Sequence, residues 1–171
     1  KLLSHIRRAP EFGIKSAHAE FDFADAMERV QRVIRAVEPH DSVERYRNLG
    51  VECITGDAKI TSPWTVAVNG RTITTRNIVI AAGARPFVPP IPGIEEVGYV
   101  TSDTVWNLRV LPRRLVVLGG GPIGCELAQC FARFGSHVTQ VEMLPRILIR
   151  EDADISDRVL ARFREEGVNV L

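Results

Sequence analysis

Three glycines at the spacing G-x-G-x-x-G stand in the stretch VLGGGPIGCE, directly after an apolar run. The run 115–118 predicts a strand, and helical apolar spacing over 123–134 predicts a helix that ends at Gly135. In this context Gly119 permits a tight turn, Gly121 lets the backbone approach a pyrophosphate, and Gly124 lets the helix pack on the strand. We predict a dinucleotide-binding turn, with a purely structural glycine turn as the alternative. The predicted binding residues are Gly119, Gly120, Gly121, Pro122, Ile123, Gly124, Cys125 and Glu126.

An acidic residue follows the next predicted strand, 137–141, and it completes this pattern. Glu142 lies 18 residues after Gly124. A carboxylate at this position can accept hydrogen bonds from both ribose hydroxyls of an adenosine, and it would repel a 2′-phosphate. The pattern therefore favours NAD(H) over NADP(H), although Arg146 is close enough in sequence to weaken that preference.

The composition of the 171 residues limits the other possibilities. With 22 basic and 21 acidic residues the net charge is +1, so no net field favours nucleic acid or an anionic membrane. The longest apolar stretch, 115–132, contains four glycines and a proline and is a poor membrane span. Three cysteines do not make a disulfide framework, which favours a cytoplasmic protein, and no Cys/His spacing predicts a metal site. Both ends of the chain interrupt an element, so we expect a fragment.

The remaining elements are read from periodicity and turn residues. Helices are predicted over 1–9, 22–37 and 155–166, with a short helix that starts from an Asp41–Glu44 capping box and ends at Gly50. Three β-rich runs, 51–60, 64–69 and 72–80, predict a small meander with a hairpin at Asn69-Gly70. The run 77–82 is apolar on both faces and predicts a buried strand. A stiff proline-rich segment follows over 83–98, and a domain boundary is expected near 108–113.

Two cysteines on the helix after the glycine turn, Cys125 and Cys130, are five residues apart. Their side chains would point about 140° apart around the helix, so a disulfide between them would be strained. We predict two unpaired, buried cysteines there. Cys53, in a strand-like run, is predicted to be a packed thiol.

The pairing of RNIVIAAGARPFVPPIPG (76–93) with LVVLGGGPIGCELA (115–128) resembles the flavoprotein pyridine nucleotide-disulfide oxidoreductases. The resemblance runs over essentially the whole chain and implies an α/β, Rossmann-like fold with two dinucleotide-binding domains and a small β-meander. It implies that residues 1–111 are the back portion of an FAD-binding domain. Residues 112–171 would be the front portion of an NAD(P)-binding domain.

The resemblance also implies roles for individual residues. Ala82, Gly83 and Ala84 match the family's A-T-G-S turn beside the flavin nucleotide, with both hydroxyl side chains replaced by alanine. Ala58 would contact the FAD adenosine through its main chain. Lys1 resembles the lysine beside the flavin, and Glu126 would be its ion-pair partner near the junction of nicotinamide and flavin. Without the resemblance, Glu126 is an acid in the first turn of a helix, where the dipole favours it.

The implied activity is hydride transfer between NAD(P)H and FAD, followed by electron transfer to a dithiol or disulfide, in a parent protein that is a homodimer. The nearest branch is that of dihydrolipoamide dehydrogenase and mercuric reductase. The alternatives are an NADH oxidase, ferredoxin reductase or nitrite reductase of the same two-dinucleotide fold, or an inactive NAD-binding remnant. The family's redox disulfide is expected before Lys1 and its interface domain after Leu171, so this chain alone is expected to be inactive.

Overall fold

The computed structural model describes all 171 residues and divides them into two compact units. One unit contains residues 1–30 and 102–171, and the other contains residues 31–101. The predicted boundary near 108–113 separates an FAD-binding part from an NAD(P)-binding part rather than two compact units, and it stays a prediction. None of the helices combines the length and the apolar character that a membrane crossing requires.

A three-stranded parallel sheet is the centre of the first unit. Strands β4 (Arg114–Leu118), β5 (His137–Val141) and β6 (Asn169–Val170) lie in that order, with Leu115 opposite Val138 and Thr139 opposite Asn169. Helix α4 (Pro122–Phe134) connects β4 to β5, and α5 (Ala153–Glu165) connects β5 to β6. This β-α-β-α-β order is the predicted Rossmann-like unit. Its strand β5 begins and ends at the predicted residues.

The core of this unit forms where the helices cover the sheet, because both elements present apolar residues to the same layer. Phe23 and Met27, one helical turn apart on α2 (Phe23–Val37), contribute to it. The centroid of the Phe23 ring lies 5.4 Å from that of Phe134 and 5.9 Å from that of Phe131. The most buried apolar members are Val105, Ala128, Phe131, Val138, Ile147, Phe163 and Val168. Before α2, the chain forms α1 (Leu2–Arg7) and a single 3₁₀ turn (Ala9–Phe12).

The second unit contains the predicted meander. Strands β1 (Lys59–Ser62), β2 (Thr65–Val68) and β3 (Arg71–Thr74) pair antiparallel in sequence order. Asn69 and Gly70 both have positive φ, 49° and 75°, as a two-residue hairpin turn between Val68 and Arg71 requires. The hairpin is confirmed, but β1 and β3 are shorter than the predicted runs. Before β1 lies α3 (Val43–Asn48), whose N-cap is Ser42 rather than the predicted Asp41, because the Ser42 hydroxyl accepts the Arg45 N–H.

The predicted buried strand over 77–82 is wrong for this structure. The segment is not paired with any strand and is exposed except for the half-buried Ile78, with Val79 at 87% and Ile80 at 74% of full exposure. A strand that is apolar on both faces needs neighbours on each edge to satisfy its N–H and C=O groups. No strand of either sheet takes that position. The proline-rich segment that follows has no regular structure before a 3₁₀ turn at Ile94–Val97, in agreement with the prediction.

Candidate dinucleotide-binding site

The glycine turn joins the end of β4 to the first residue of α4. Gly119 has φ +102°, a conformation that side chains disfavour, and its N–H donates to the Val141 carbonyl at 2.8 Å. A Cβ on Gly124 would lie 2.3 Å from the carbonyl oxygen of Gly119. The tight turn at Gly119 and the close helix–strand packing at Gly124 are therefore confirmed as conformational requirements.

The protein itself bonds most of the polar backbone atoms of this turn. The Gly119 carbonyl accepts from Gln140 Nε2 at 2.9 Å, and the Gly120 N–H donates to Glu142 Oε2 at 2.5 Å. The Gly120 carbonyl accepts from the Leu148 N–H at 2.7 Å and from the Cys125 thiol at 3.4 Å. These contacts come from β5, α4 and the loop after β5, so the turn is fixed from several sides.

Three N–H groups of the turn remain without an acceptor in the protein, those of Gly121, Ile123 and Gly124. They lie at the N-terminus of α4, where Pro122 carries no N–H and the N-cap Gly121 has no side chain to accept one. A Cβ at Gly121 would meet no atom within 4 Å, so the space outside the turn is open. Free N–H groups at the positive end of a helix dipole, next to open space, fit a pyrophosphate.

Glu142 lies directly beside this turn. Its Oε2 accepts the Gly120 N–H, and its Oε1 accepts the Leu144 N–H at 2.8 Å. Each carboxylate oxygen has further lone pairs, so both remain able to accept from ribose hydroxyls. Arg146 is not free to bind a 2′-phosphate, because its guanidinium donates to the carbonyls of Glu151 at 2.8 Å and Ile149 at 3.2 Å.

Cys125 and Gln140 lie beneath the turn, and no sequence motif predicts a role for Gln140. Gln140 is fully buried, and its Nε2 also contacts Cys125 Sγ at 3.5 Å. Desolvation by burial raises the pKa of the Cys125 thiol, and the nearby charges of Glu142 and Glu126 act in the same direction. The thiol therefore keeps its proton and can donate it to the Gly120 carbonyl. The signal available in the sequence was a glutamine within a predicted strand, but periodicity does not show that its amide bonds the Gly119 carbonyl.

Lys1 and Glu126 line one small cleft of about 150 Å³, together with Leu3, Gln129, Cys130, Arg133 and Phe134. The structure brings the two predicted partners to the same cleft, yet no ion pair joins them within 4.0 Å. Glu126 also lines a larger cleft of about 500 Å³ between α4 and α5. The acid thus lies at the edge of both clefts, one helical turn from the free N–H groups.

The three cysteines are free, as predicted, but Cys130 is exposed, and the prediction of a buried residue there is wrong. The physical reason is the helical rotation between the two positions. Because residue 130 lies about 140° around the helix from residue 125, it turns away from the sheet when Cys125 faces it. Cys53 is half-buried, and its thiol lies 3.8 Å from the Val51 carbonyl oxygen.

The candidate FAD residues lie in the second unit. Ala82 and Ala84 are exposed, and Gly83 between them has φ +67°. Ala58 is exposed in the residue before β1. Small side chains on either side of a left-handed glycine leave the backbone accessible, which fits a nucleotide that approaches the main chain. No group of three or more His, Cys, Asp or Glu side chains could hold a metal ion.

A sequence model described as pyridine nucleotide-disulphide oxidoreductase matches residues 12–171. The chain is 33% identical to the mercuric reductase of Bacillus cereus over 170 residues, which are 99% of this chain and 27% of that protein. It is 33% identical to the dihydrolipoyl dehydrogenase of Acholeplasma laidlawii over 176 aligned positions, covering all of this chain and 52% of that protein.

Solved structures show the same likeness. The HOCl-induced flavoprotein disulfide reductase RclA from Escherichia coli is 35% identical with a TM-score of 0.65, over 88% of this chain and 35% of its own. LpdA from Mycobacterium tuberculosis is 26% identical with a TM-score of 0.71, over 99% of this chain and 38% of its own.

A Rossmann-like dinucleotide-binding unit is the class of structure that this fold and turn define. The chain belongs to the pyridine nucleotide-disulphide oxidoreductase family. Membership confirms the predicted family and fold class, and FAD with a pyridine nucleotide as the cofactors that go with this family. The chain spans from about a quarter to about half of the length of these curated relatives.

Proposed function

We propose that this protein is an FAD-dependent pyridine nucleotide-disulfide oxidoreductase that takes NAD(H) at the turn 119–124. The observation that carries the proposal is the bonding of the turn. The protein satisfies the polar backbone atoms of Gly119 and Gly120 and leaves three N–H groups of 121–124 free beside open space. When bound, the two cofactors supply hydride transfer between nicotinamide and flavin.

The chain's own residues bind and orient the nucleotide. The N–H groups of Gly121, Ile123 and Gly124 bind the pyrophosphate, and Glu142 accepts from the adenosine ribose. Two features support NAD(H) over NADP(H). The Glu142 carboxylate repels a 2′-phosphate, and Arg146, the nearby cation considered as a phosphate ligand, is occupied by backbone carbonyls.

The remaining site residues complete the proposal. Glu126, at the edge of both clefts, lies at the junction of nicotinamide and flavin, with Lys1 across the smaller cleft. Ala58, Ala82, Gly83 and Ala84 bind FAD through the main chain. Residues 1–111 belong to the FAD domain and residues 112–171 to the NAD domain. A dithiol or disulfide exchanges electrons with the flavin, in a cytoplasmic homodimer.

Flavin absorbance tests this proposal. The purified protein is mixed with FAD without oxygen and then titrated with NADH or NADPH. We expect the flavin bands to bleach with NADH at lower concentration than with NADPH. This reductive half-reaction does not need the redox disulfide, so it is distinct from the full turnover that this chain alone is expected to lack. Retention of oxidised flavin bands with both nucleotides, in protein shown to hold FAD, would contradict hydride transfer at this site.

The Glu142→Gln variant tests the ribose assignment within the same experiment. Removing the charge weakens the hydrogen bonds to ribose, so NADH affinity should fall about tenfold while NADPH affinity does not fall. Asp157→Asn is the matched control, since it removes one charge from an exposed position on α5. Equal losses for NADH and NADPH in Glu142→Gln would reject Glu142 as the residue that discriminates between them.

A further inference from the structure

Gln140 is the one buried polar side chain of β5, and only one of its two amide atoms is hydrogen-bonded. Its Nε2 donates to the Gly119 carbonyl at 2.9 Å and contacts Cys125 Sγ at 3.5 Å. Its Oε1 is fully buried and has no hydrogen-bond partner. The Nε2 donor of this residue is therefore bonded to the glycine turn, while its Oε1 acceptor is unsatisfied.

An unsatisfied buried amide oxygen is unfavourable, and such groups are rare in folded proteins. Buried positions in parallel strands are usually apolar, as Val138 is on the same face of β5. An apolar residue at 140 would remove the cost of the unpaired oxygen. The glutamine therefore makes the fold less stable through its unpaired oxygen, and its contact with the turn is the reason for having this residue here.

The contact acts on one particular peptide unit. The carbonyl of Gly119 and the N–H of Gly120 belong to the same planar group, so they rotate together. Gln140 bonds the carbonyl end, and Glu142 bonds the N–H end at 2.5 Å. Strand alternation puts residues 140 and 142 on the same side, so the two side chains hold this peptide at both ends.

Cys125 extends the contact to the next peptide unit. Its thiol lies against Gln140 Nε2 and donates to the carbonyl of Gly120 at 3.4 Å. The carbonyl of Gly120 and the N–H of Gly121 again form one planar group. The orientation of the free Gly121 N–H is thereby linked to the Gln140 amide through two adjacent peptides.

We propose that Gln140 is a positioning residue that orients the Gly119–Gly120 peptide, and through it both the Gly121 N–H and the Glu142 carboxylate, for the nucleotide. The inference rests on the proposed binding of NAD(H) at this turn. Gln140 does not touch the nucleotide. It determines whether the groups that do so are already in place.

The Gln140→Met variant tests this role, because methionine keeps an unbranched side chain of similar size without the donor. Thr139→Val is the matched control, since residue 139 lies next to Gln140 on β5 and points to the opposite face. We expect Gln140→Met to bind NADH about tenfold more weakly than wild type, as the loss of preorganisation predicts. Thr139→Val should bind NADH as wild type does.

Amide hydrogen exchange, measured by NMR without nucleotide, separates positioning from general stability. In Gln140→Met the Gly120 N–H should exchange faster than in wild type, while the amides of β4 and β5 keep their rates and the melting temperature stays close to that of wild type. Wild-type NADH affinity in Gln140→Met would overturn the inference. A loss of affinity with faster exchange throughout the sheet would overturn it too, because that is general destabilisation.

Cys125→Ala provides the second variant and decides the question if Gln140→Met does not fold. It removes the thiol but retains Gln140, so NADH affinity should fall about threefold, less than for a direct loss of the Gly119 contact. Unchanged affinity in Cys125→Ala would overturn the inference, because the path from Gln140 to the Gly121 N–H runs through this thiol. If the wild-type protein itself does not bind NADH, the proposed function fails; if it binds and Gln140→Met binds equally, only this inference fails.

Discussion

At the scale of single residues, the glycines of the turn have different physical roles although they share one motif. Gly124 is required by the fold, since any side chain there meets the Gly119 carbonyl oxygen. Gly121 has φ −73° and open space around it, so the free protein does not need a glycine there. A glycine is required at position 121 only if a ligand lies against the backbone there. Stability and binding measurements can therefore separate the two positions.

We predict opposite profiles for alanine at these positions. Gly124→Ala must displace the turn and should lower the free energy of unfolding by about 2–3 kcal/mol, with loss of NADH binding. Gly121→Ala should change stability by less than about 0.5 kcal/mol but weaken NADH at least about tenfold, because its methyl group occupies the pyrophosphate space. Denaturant unfolding and NADH titration measure both. Tight NADH binding by Gly121→Ala would show that no phosphate approaches this backbone.

Residue types in the sequence revealed the turn but not what holds it. The glycine spacing and Glu142 were sufficient to predict the turn, because each is part of a motif with a known strand–turn–helix context. Gln140 lies outside the motif, and its role depends on the packing of β5 under the turn. The exposure of Cys130 likewise depends on which face of α4 meets the sheet.

At the scale of elements, an ion-pair network joins the C-terminal ends of α4 and α5. Arg133 binds Glu166 through two hydrogen bonds of 2.9 Å, and Arg162 adds a contact of 2.7 Å to the same carboxylate. Desolvation opposes ionisation of Glu166, yet the hydrogen bonds and charges of Arg133 and Arg162 outweigh it and hold its pKa below the ordinary value. The Glu166 side chain is only 11% exposed, so solvent screens this network weakly.

We predict that Glu166→Gln destabilises the protein by about 2 kcal/mol at neutral pH, between the values for exposed and buried pairs. A carboxyl with a lowered folded-state pKa stabilises the fold above its unfolded pKa and loses that contribution as pH falls through the folded pKa. The difference between wild type and Glu166→Gln should therefore be full at pH 7 and shrink below the ordinary value of 4.5. Urea unfolding at several pH values measures it.

Glu165→Gln is the control for this network. Its carboxylate also binds Arg162, at 2.9 Å, but its side chain is 65% exposed. Exposed pairs contribute about 0–1 kcal/mol, so this variant should change stability little. A Glu166→Gln effect that equals the Glu165→Gln effect, or that grows as pH falls, would contradict the buried network.

Element predictions succeeded where a local pattern decides the outcome. The strand β5, the hairpin at Asn69-Gly70 and helix α2 agree with the sequence because periodicity and turn residues specify them locally. The run 77–82 was predicted as a buried strand from its apolar residues alone. Whether such a run is buried depends on partner strands elsewhere, and these do not enter a local pattern.

At the scale of the whole molecule, family membership and the geometry of one site point to the same class of ligand, a dinucleotide. The match over residues 12–171 gives the fold and the cofactor class, and the bonding of the turn supports the proposal that a dinucleotide binds there. With a net charge of +1 the chain has no strong overall field. The proposed recognition of an anionic nucleotide therefore depends on the local arrangement of N–H groups at α4.

Isothermal titration of the purified protein with NADH and with NADPH tests whether the turn 119–124 binds NAD(H). We predict one NADH site, with NADPH bound at least about tenfold more weakly because its 2′-phosphate faces Glu142. Absence of NADH binding, or NADPH binding as tight as that of NADH, would contradict it.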